Sequence, residues 1–406
     1  MIKITDRLPT EGEYLRVRHL VLQQVGHITD NELASVIGAC THLESAVLSG
    51  IPDLSDRTLI LLAKTATDLQ GINLNSCTHI TDDGVLALTA QPLPLQWVRL
   101  NGAVNLTDQS VLAITTALSR LVELELCDLP LITPVSTSSV WTQLRKLRVL
   151  RLARCPLLTD VASPPASGRR PEAEESLEGL ALRYDADSLR VLDLTRCKIT
   201  DESVERIVAY APKIQNLILT GCDQLTDRAL DNICRLGDNL DVLSMSHVTE
   251  ITDAAVVRLA RSCPKLRGVD FGFCQKLTDM SVFEVASLSY LKRLSLMGLN
   301  NITDIAIYAI AEHAVELERF HLAHCNQISL EAVYMLLKNL RKLQQVVLNG
   351  VPSCQGDGME QLSEEPPAHL DAEQQAVFRV YKGQNISRLR EFLDLEKRRK
   401  ADDEAE

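Results

Sequence analysis

Three sets of side chains recur at a fixed spacing and could carry chemistry. The first is a column of thiols: Cys77, Cys155, Cys197, Cys222, Cys274 and Cys325 each fall three residues after an apolar position, namely Leu74, Leu152, Leu194, Leu219, Phe271 and Leu322. Thiols in register could ligate a metal or supply a nucleophile. The eleven cysteines contain no C-x-x-C pair, however, which removes the commonest zinc spacing. A buried Cys is a small hydrophobe that fits a narrow turn, so the expectation is packing, with no metal. The second set is a hydroxyl beside a carboxylate: Thr-Asp or Ser-Asp dyads begin at Thr5, Thr29, Ser55, Thr81, Thr107, Thr159, Thr200, Thr226, Thr252, Thr278 and Thr303. Residues of this kind cap helix N-termini and complement the helix dipole, so architecture is expected rather than catalysis.

The third set is an array of arginines interleaved with large apolar residues: Trp97, Arg99, Arg151, Arg154, Arg196, Phe273, Arg293, Met297, Arg319 and His321. Arginine forks bind phosphate through two parallel hydrogen bonds. The array therefore predicts docking of an extended, phosphorylated peptide, with Trp97, Phe273 and Met297 as apolar anchors. Glu123, Glu125, Asp193 and Asp270 lie among the arginines and offer a competing reading, in which Glu125 pairs with Arg99 or Arg151 across neighbouring strands. No G-x-S-x-G, Walker loop or H-E-x-x-H is present. A binding protein is expected, with no catalytic residue and no cofactor.

The elements that position these side chains follow from the period. Most dyads are 26 residues apart, and seven residues ahead of most of them sits the last apolar residue of an L-x-x-L-x-L core. Thirteen such cores run from Val17-Leu20-Leu22 to Leu343-Val346-Leu348. Alternation within each core predicts a short strand with one buried face, and the pattern behind each dyad predicts a helix. The fold class is therefore α/β, a solenoid of about thirteen strand-turn-helix repeats with parallel strands on the concave face and helices on the convex face. The solenoid spans 1–350. The interval from Thr159 to Thr200 is longer, and its Pro, Ser, Gly and Glu content predicts a disordered insertion at 161–187. Residues 351–395 read as a C-terminal cap, and 396–406 as a charged tail.

Composition limits the partners. Lys and Arg total 42 against 54 Asp and Glu, a formal net charge of −12, which argues against a general nucleic-acid or anionic-membrane binder. Aromatic residues are only 4% of the chain, so the core must be aliphatic. No apolar run approaches the roughly 18 residues of a membrane span, and no leader follows Met1. The expectations are a cytoplasmic or nuclear location, and no nucleic-acid, membrane or small-molecule partner.

The repeat, with its Cys after the strand, its Leu/Ile-Thr-Asp turn and a helix ending as in Cys263-Pro264-Lys265-Leu266, resembles the cysteine-containing class of leucine-rich repeats. It is similar in particular to the fungal F-box/leucine-rich-repeat substrate receptors of SCF ubiquitin ligases, of the glucose-repression type. The segments that carry the likeness are LTDRALDNICRLG from Leu225, LARSCPKL from Leu259, LTDMSVFEVASLSYLKRL from Leu277 and YAIAEHAVELERFHLAHCNQIS from Tyr308. Val380-Tyr381-Lys382-Gly383 and Leu389-Arg390-Glu391-Phe392-Leu393 resemble that family's C-terminal extension. The resemblance implies a substrate-recognition subunit that binds phosphorylated proteins on the concave face. Nothing ahead of Val17 resembles an F-box, so a Skp-type adaptor and cullin are expected partners only if an F-box lies upstream. The alternative is a leucine-rich-repeat scaffold without a ligase.

Overall fold

The computed structural model describes residues 10–159, 186–356 and 358–403. The Thr5-Asp6 dyad, residues 160–185 of the expected insertion and the last residues of the tail lie outside the described residues. The chain forms two compact units, Met1–Ile214 and Gln215–Glu406.

In the first unit the strands are β1 (His19–Gln23), β2 (Ser45–Ser49), β3 (Gly71–Asn73), β4 (Trp97–Arg99), β5 (Glu123–Glu125), β6 (Val149–Arg151) and β7 (Val191–Asp193). Each pairs in parallel with the next in chain order. The second unit holds β8 (Asn216–Ile218), β9 (Val242–Ser244), β10 (Gly268–Asp270), β11 (Arg293–Ser295), β12 (Arg319–His321) and β13 (Gln345–Val347), again parallel in order. In most three-residue strands only the middle residue is buried, as Leu124 is between Glu123 and Glu125. Those middle residues and the leucines behind them form an aliphatic core at or near zero exposure, each side chain contributing about 2 kcal/mol of burial. The flanking residues face outward, one row on each side of the buried column.

The Thr-Asp dyad divides its work between two repeats. Thr81 caps its own helix, Asp82–Thr89, by accepting from the Asp83 N–H. Asp82, the first helical residue, instead reaches the next repeat, where it accepts from the Thr107 N–H at 3.0 Å, the Thr107 hydroxyl at 2.6 Å and the Ser110 hydroxyl. The same link joins Asp56 to Thr81, Asp108 to Thr133, Asp253 to Thr278 and Asp279 to Thr303. The hydroxyl caps at Thr81, Thr107, Thr226, Thr278 and Thr303, though not at Ser55 or Thr252, while the carboxylate holds the repeat spacing.

The cysteines form a second ladder. Cys77, Cys155, Cys197, Cys274 and Cys325 donate their S–H to the carbonyls of Leu48, Leu126, Leu152, Met245 and Leu296, each in the preceding repeat, at 2.9–3.2 Å. Burial pushes the Cys155, Cys197 and Cys274 thiols up to about 12 and that of Cys325 to about 11, so each stays a protonated donor. Among the described residues no group of His, Cys, Asp and Glu is arranged to hold a metal ion.

Immediately before most of these cysteine positions the backbone turns left-handed. Positive φ occurs at Gln24, Ser76, Asp128, Arg154, Arg196, His247, Phe273 and His324, and at glycines such as Gly50, Gly102, Gly298 and Gly350. Side chains on this column lean onto the next repeat, and two of the glycines make room for them. A Cβ on Gly298 would lie 2.5 Å from the Phe273 ring, and one on Gly350 2.5 Å from His324 Nδ1.

From the segment expected as a cap, β14 (Val380–Lys382) adds antiparallel to β13 and covers its open edge. The helix Gln384–Asp403 follows, extending through most of the expected tail. Its Arg390 donates to the Leu337 and Leu340 carbonyls at the end of helix Leu330–Asn339. No described helix is long and apolar enough to cross a membrane.

Candidate functional site

The arginines expected to bind a partner fall into two different settings. In the first unit the register places Arg99, Glu125, Arg151 and Asp193 side by side on β4 to β7. The row alternates in sign and closes on itself. Arg99 Nε lies 2.5 Å from Glu123 Oε1 and 3.7 Å from Glu125 Oε1. Arg151 Nε lies 3.2 Å from Glu125, and its Nη1 lies 3.5 Å from Asp193. Asn101 donates to the other oxygen of Glu125 at 2.7 Å. On the left-handed column Arg154 makes a two-pronged bond to Asp128, with both contacts at 2.5 Å. The pairing weighed against phosphate docking thus occupies Arg99, Arg151 and Arg154. Trp97 is half-buried, its ring lying over Gly71 of β3 where no Cβ intervenes, with the Arg99 guanidinium 5.5 Å from the ring centre. Arg196 is exposed in the turn after β7.

The second unit differs. Arg293 on β11 stands directly opposite Arg319 on β12, and both side chains are exposed. Neither forms an ion pair among the described residues. The neighbouring carboxylate, Glu318, is hydrogen-bonded to Lys292 at 2.7 Å and held below its ordinary value chiefly by that bond, with smaller contributions from the charges of Arg319 and Arg293, so it offsets the pair only in part. Two like charges on adjacent strands about 4.8 Å apart oppose each other, and an anion placed between them would relieve that repulsion.

The two arginines line an open groove of about 470 Å³ across β8 to β13, together with Ser244, Gly268, Asp270, Ser295, His321 and Gln345. Gly268 shapes its floor. A Cβ there would meet both methyls of Val242 at 3.3 Å and Arg293 Nε at 3.5 Å. His321 lies in the second row, and burial pushes its imidazole below the ordinary value against the opposing pull of Asp270. That direction favours the neutral imidazole at pH 7, so it is not a third cation of the groove. Phe273 and Met297 are half-buried in the turns beyond the strands, and Phe273 stacks on His247 with ring centres 4.3 Å apart.

The left-handed column was not read from the sequence, although its signal is present. The column holds glycines such as Gly50, Gly102, Gly221, Gly298 and Gly350 together with Asp128, His247 and His324, residue types that tolerate positive φ well, with Gln24, Ser76, Arg154, Arg196 and Phe273 as exceptions.

The strand-turn-helix repeat and parallel sheet of each unit define a leucine-rich-repeat fold. A Leucine Rich repeat family model matches residues 187–208. Among proteins of established function, the chain is 26% identical over 110 residues to the SCF E3 ubiquitin ligase complex F-box protein pof2 of Schizosaccharomyces pombe. That match covers 27% of this chain and 24% of pof2, so it spans about a quarter of the relative's length. Among solved structures, a chain from the yeast Rad7 and Elc1 complex superposes with a TM-score of 0.61 over 80% of both chains at 18% identity. An internalin, InlF of Listeria monocytogenes, superposes with a TM-score of 0.53 over 83% of this chain and 88% of its own, at 21% identity. At these identities the structural likeness establishes the fold alone.

Proposed function

We propose that this chain is the non-catalytic, substrate-recognition part of an SCF-type ubiquitin ligase, and that it takes phosphorylated protein segments on the strand face of its second unit. The observation that carries the binding half is the Arg293–Arg319 pair, opposed in register in an open groove, with neither arginine in an ion pair among the described residues. A phosphate bridging two guanidinium forks supplies the missing negative charge. The ligase half is supported by the likeness to pof2, by the resemblance of the cysteine-bearing repeat to that of the glucose-repression receptors, and by the resemblance of 380–383 and 389–393 to their C-terminal extension. Attachment to a Skp-type adaptor and cullin would run through an F-box adjoining this region. Such a receptor works in the cytoplasm or nucleus, where the ligase and its phosphorylated targets meet.

Two measurements test the two halves separately. Charge reversal of both Arg293 and Arg319 to Glu should abolish the preference for phosphorylated over unphosphorylated peptides, and an unchanged preference would overturn the binding half. Copurification of a Skp-type adaptor with the full-length protein from cells supports the ligase half. Its absence under conditions that retain the adaptor on a known F-box protein would leave a scaffold without a ligase.

A further inference from the structure

We propose that the groove of the second unit reads a dipolar segment, with a phosphorylated residue on Arg293 and Arg319 and a basic side chain of the same segment on Asp270. This rests on the reading of the arginine pair given above and adds to it a second point of recognition.

Asp270 sits two positions along β10 from Gly268, whose partner on β11 is Arg293. A diagonal of this kind, about 7–8 Å between Cα atoms, is within reach of long side chains. In the first unit the equivalent diagonal is closed. Arg99 stands opposite Glu125 yet reaches across to Glu123 at 2.5 Å. In the second unit the diagonal is open, since among the described residues Asp270 forms no ion pair with Arg293. Its carboxylate is held by neutral donors instead, the Gly272 N–H on Oδ1 at 3.1 Å and the Ser244 hydroxyl on Oδ2 at 3.2 Å. These bonds fix the orientation of the carboxylate without neutralising its charge.

The other groups facing Asp270 along its row are Ser244, Ser295 and His321. None is a cation at neutral pH, because burial keeps His321 uncharged. The groove therefore presents two positive charges in one row, offset in part by Glu318 beside them, and one negative charge in the other, and among the described residues none of the three forms an ion pair. A purely anionic peptide would be opposed by Asp270, whereas a peptide carrying both signs satisfies both rows. Strands about 4.8 Å apart and two residues of about 3.3 Å along the strand put the rows roughly 8 Å apart at Arg293 and 12 Å apart at Arg319. In an extended peptide that distance corresponds to a cation about two to four residues from the phosphate.

The test is fluorescence anisotropy with synthetic phosphoserine peptides that carry either Lys or Ala at two, three or four residues on each side of the phosphate. At one spacing the wild-type chain should bind the Lys peptide about fivefold more tightly than its Ala counterpart, the range of a well-placed ion pair. Asp270→Asn retains an acceptor for Gly272 and should equalise the two peptides while still binding both. Tight phosphopeptide binding with no Lys preference at any spacing in the wild type would overturn this proposal and leave the arginine reading standing. No binding of any phosphopeptide would overturn both.

Discussion

Arg293 and Arg319 face each other at the first positions of neighbouring parallel strands, and among the described residues neither forms an ion pair, whereas Arg99 and Arg151, at the last positions of their strands in the first unit, are each flanked by acids. One strand geometry thus supports opposite outcomes. A row that alternates in sign is satisfied internally and serves stability, and a row that repeats a sign stores an unmet demand for an anion.

Removing Arg151 should cost stability rather than binding. Arg151→Ala leaves Glu125 and Asp193 without their shared cation, and both carboxylates are only 14% exposed. The expected loss is about 1 kcal/mol, the upper end for a surface pair. Arg293→Ala removes no ion pair and should leave the urea midpoint unchanged or slightly raised. Chemical denaturation of the two variants side by side checks this, and a larger loss from Arg293→Ala would contradict it.

The inter-repeat aspartates predict acid sensitivity. Burial pulls the Asp82 pKa upward, but hydrogen bonds from Ser110 and Thr107 outweigh it, and the net value lies below the ordinary 3.8; Asp30 behaves alike. A carboxyl whose folded value is depressed adds stability above its unfolded value, and that stability is lost as pH falls through the folded value. Stability should therefore fall steeply below about pH 4. Asp82→Asn should lower stability at pH 7 by about 1–3 kcal/mol and flatten the acid limb, as thermal unfolding scans between pH 2 and pH 7 would show.

The cysteine ladder predicts inert thiols. Cys155, Cys197, Cys274 and Cys325 are buried and bonded to carbonyls. In the native state at pH 8 they should resist alkylation by iodoacetamide, with partly exposed Cys234 reacting ahead of them. Cys274→Ala should cost about 1–2 kcal/mol through the lost bond and cavity. Rapid labelling of Cys274 in the folded chain, read by mass spectrometry, would contradict the arrangement.

Gly298 should tolerate no side chain. It has a φ of 68°, and the Phe273 ring occupies the space a Cβ would need. Gly298→Val is expected to destabilise by about 2 kcal/mol or more and to separate Phe273 from His247. The ring-current shift of the His247 protons would report the change.

Much of this was legible in the sequence. The L-x-x-L-x-L cores mark β1 to β13, because a buried strand centre between two outward residues forces that alternation. Thr107 as a cap is a local property of its own repeat, and Cys274 as a packed thiol follows from its place after the strand, although the Met245 carbonyl it bonds belongs to the preceding repeat. What the Asp82 carboxylate does is not local, since its partners Thr107 and Ser110 lie a full repeat away and the same Asp at a helix start would complement the dipole just as well. Arg99 ends its strand and Arg293 begins its own, and which of them closes on an acid depends on the residues that register sets beside each, Glu125 for Arg99 and Arg319 for Arg293. The antiparallel β14 was hidden because Val380-Tyr381-Lys382 is too short to declare its direction.

The most direct test of the central claim is isothermal titration of one phosphopeptide and its unphosphorylated form into three proteins: wild type, R293E/R319E and R99E/R151E. The account predicts phosphate-dependent binding in the wild type, its loss in R293E/R319E, and its retention in R99E/R151E at a temperature where that variant remains folded. Retention in R293E/R319E, or an equal loss in both variants with circular dichroism showing intact folds, would contradict it.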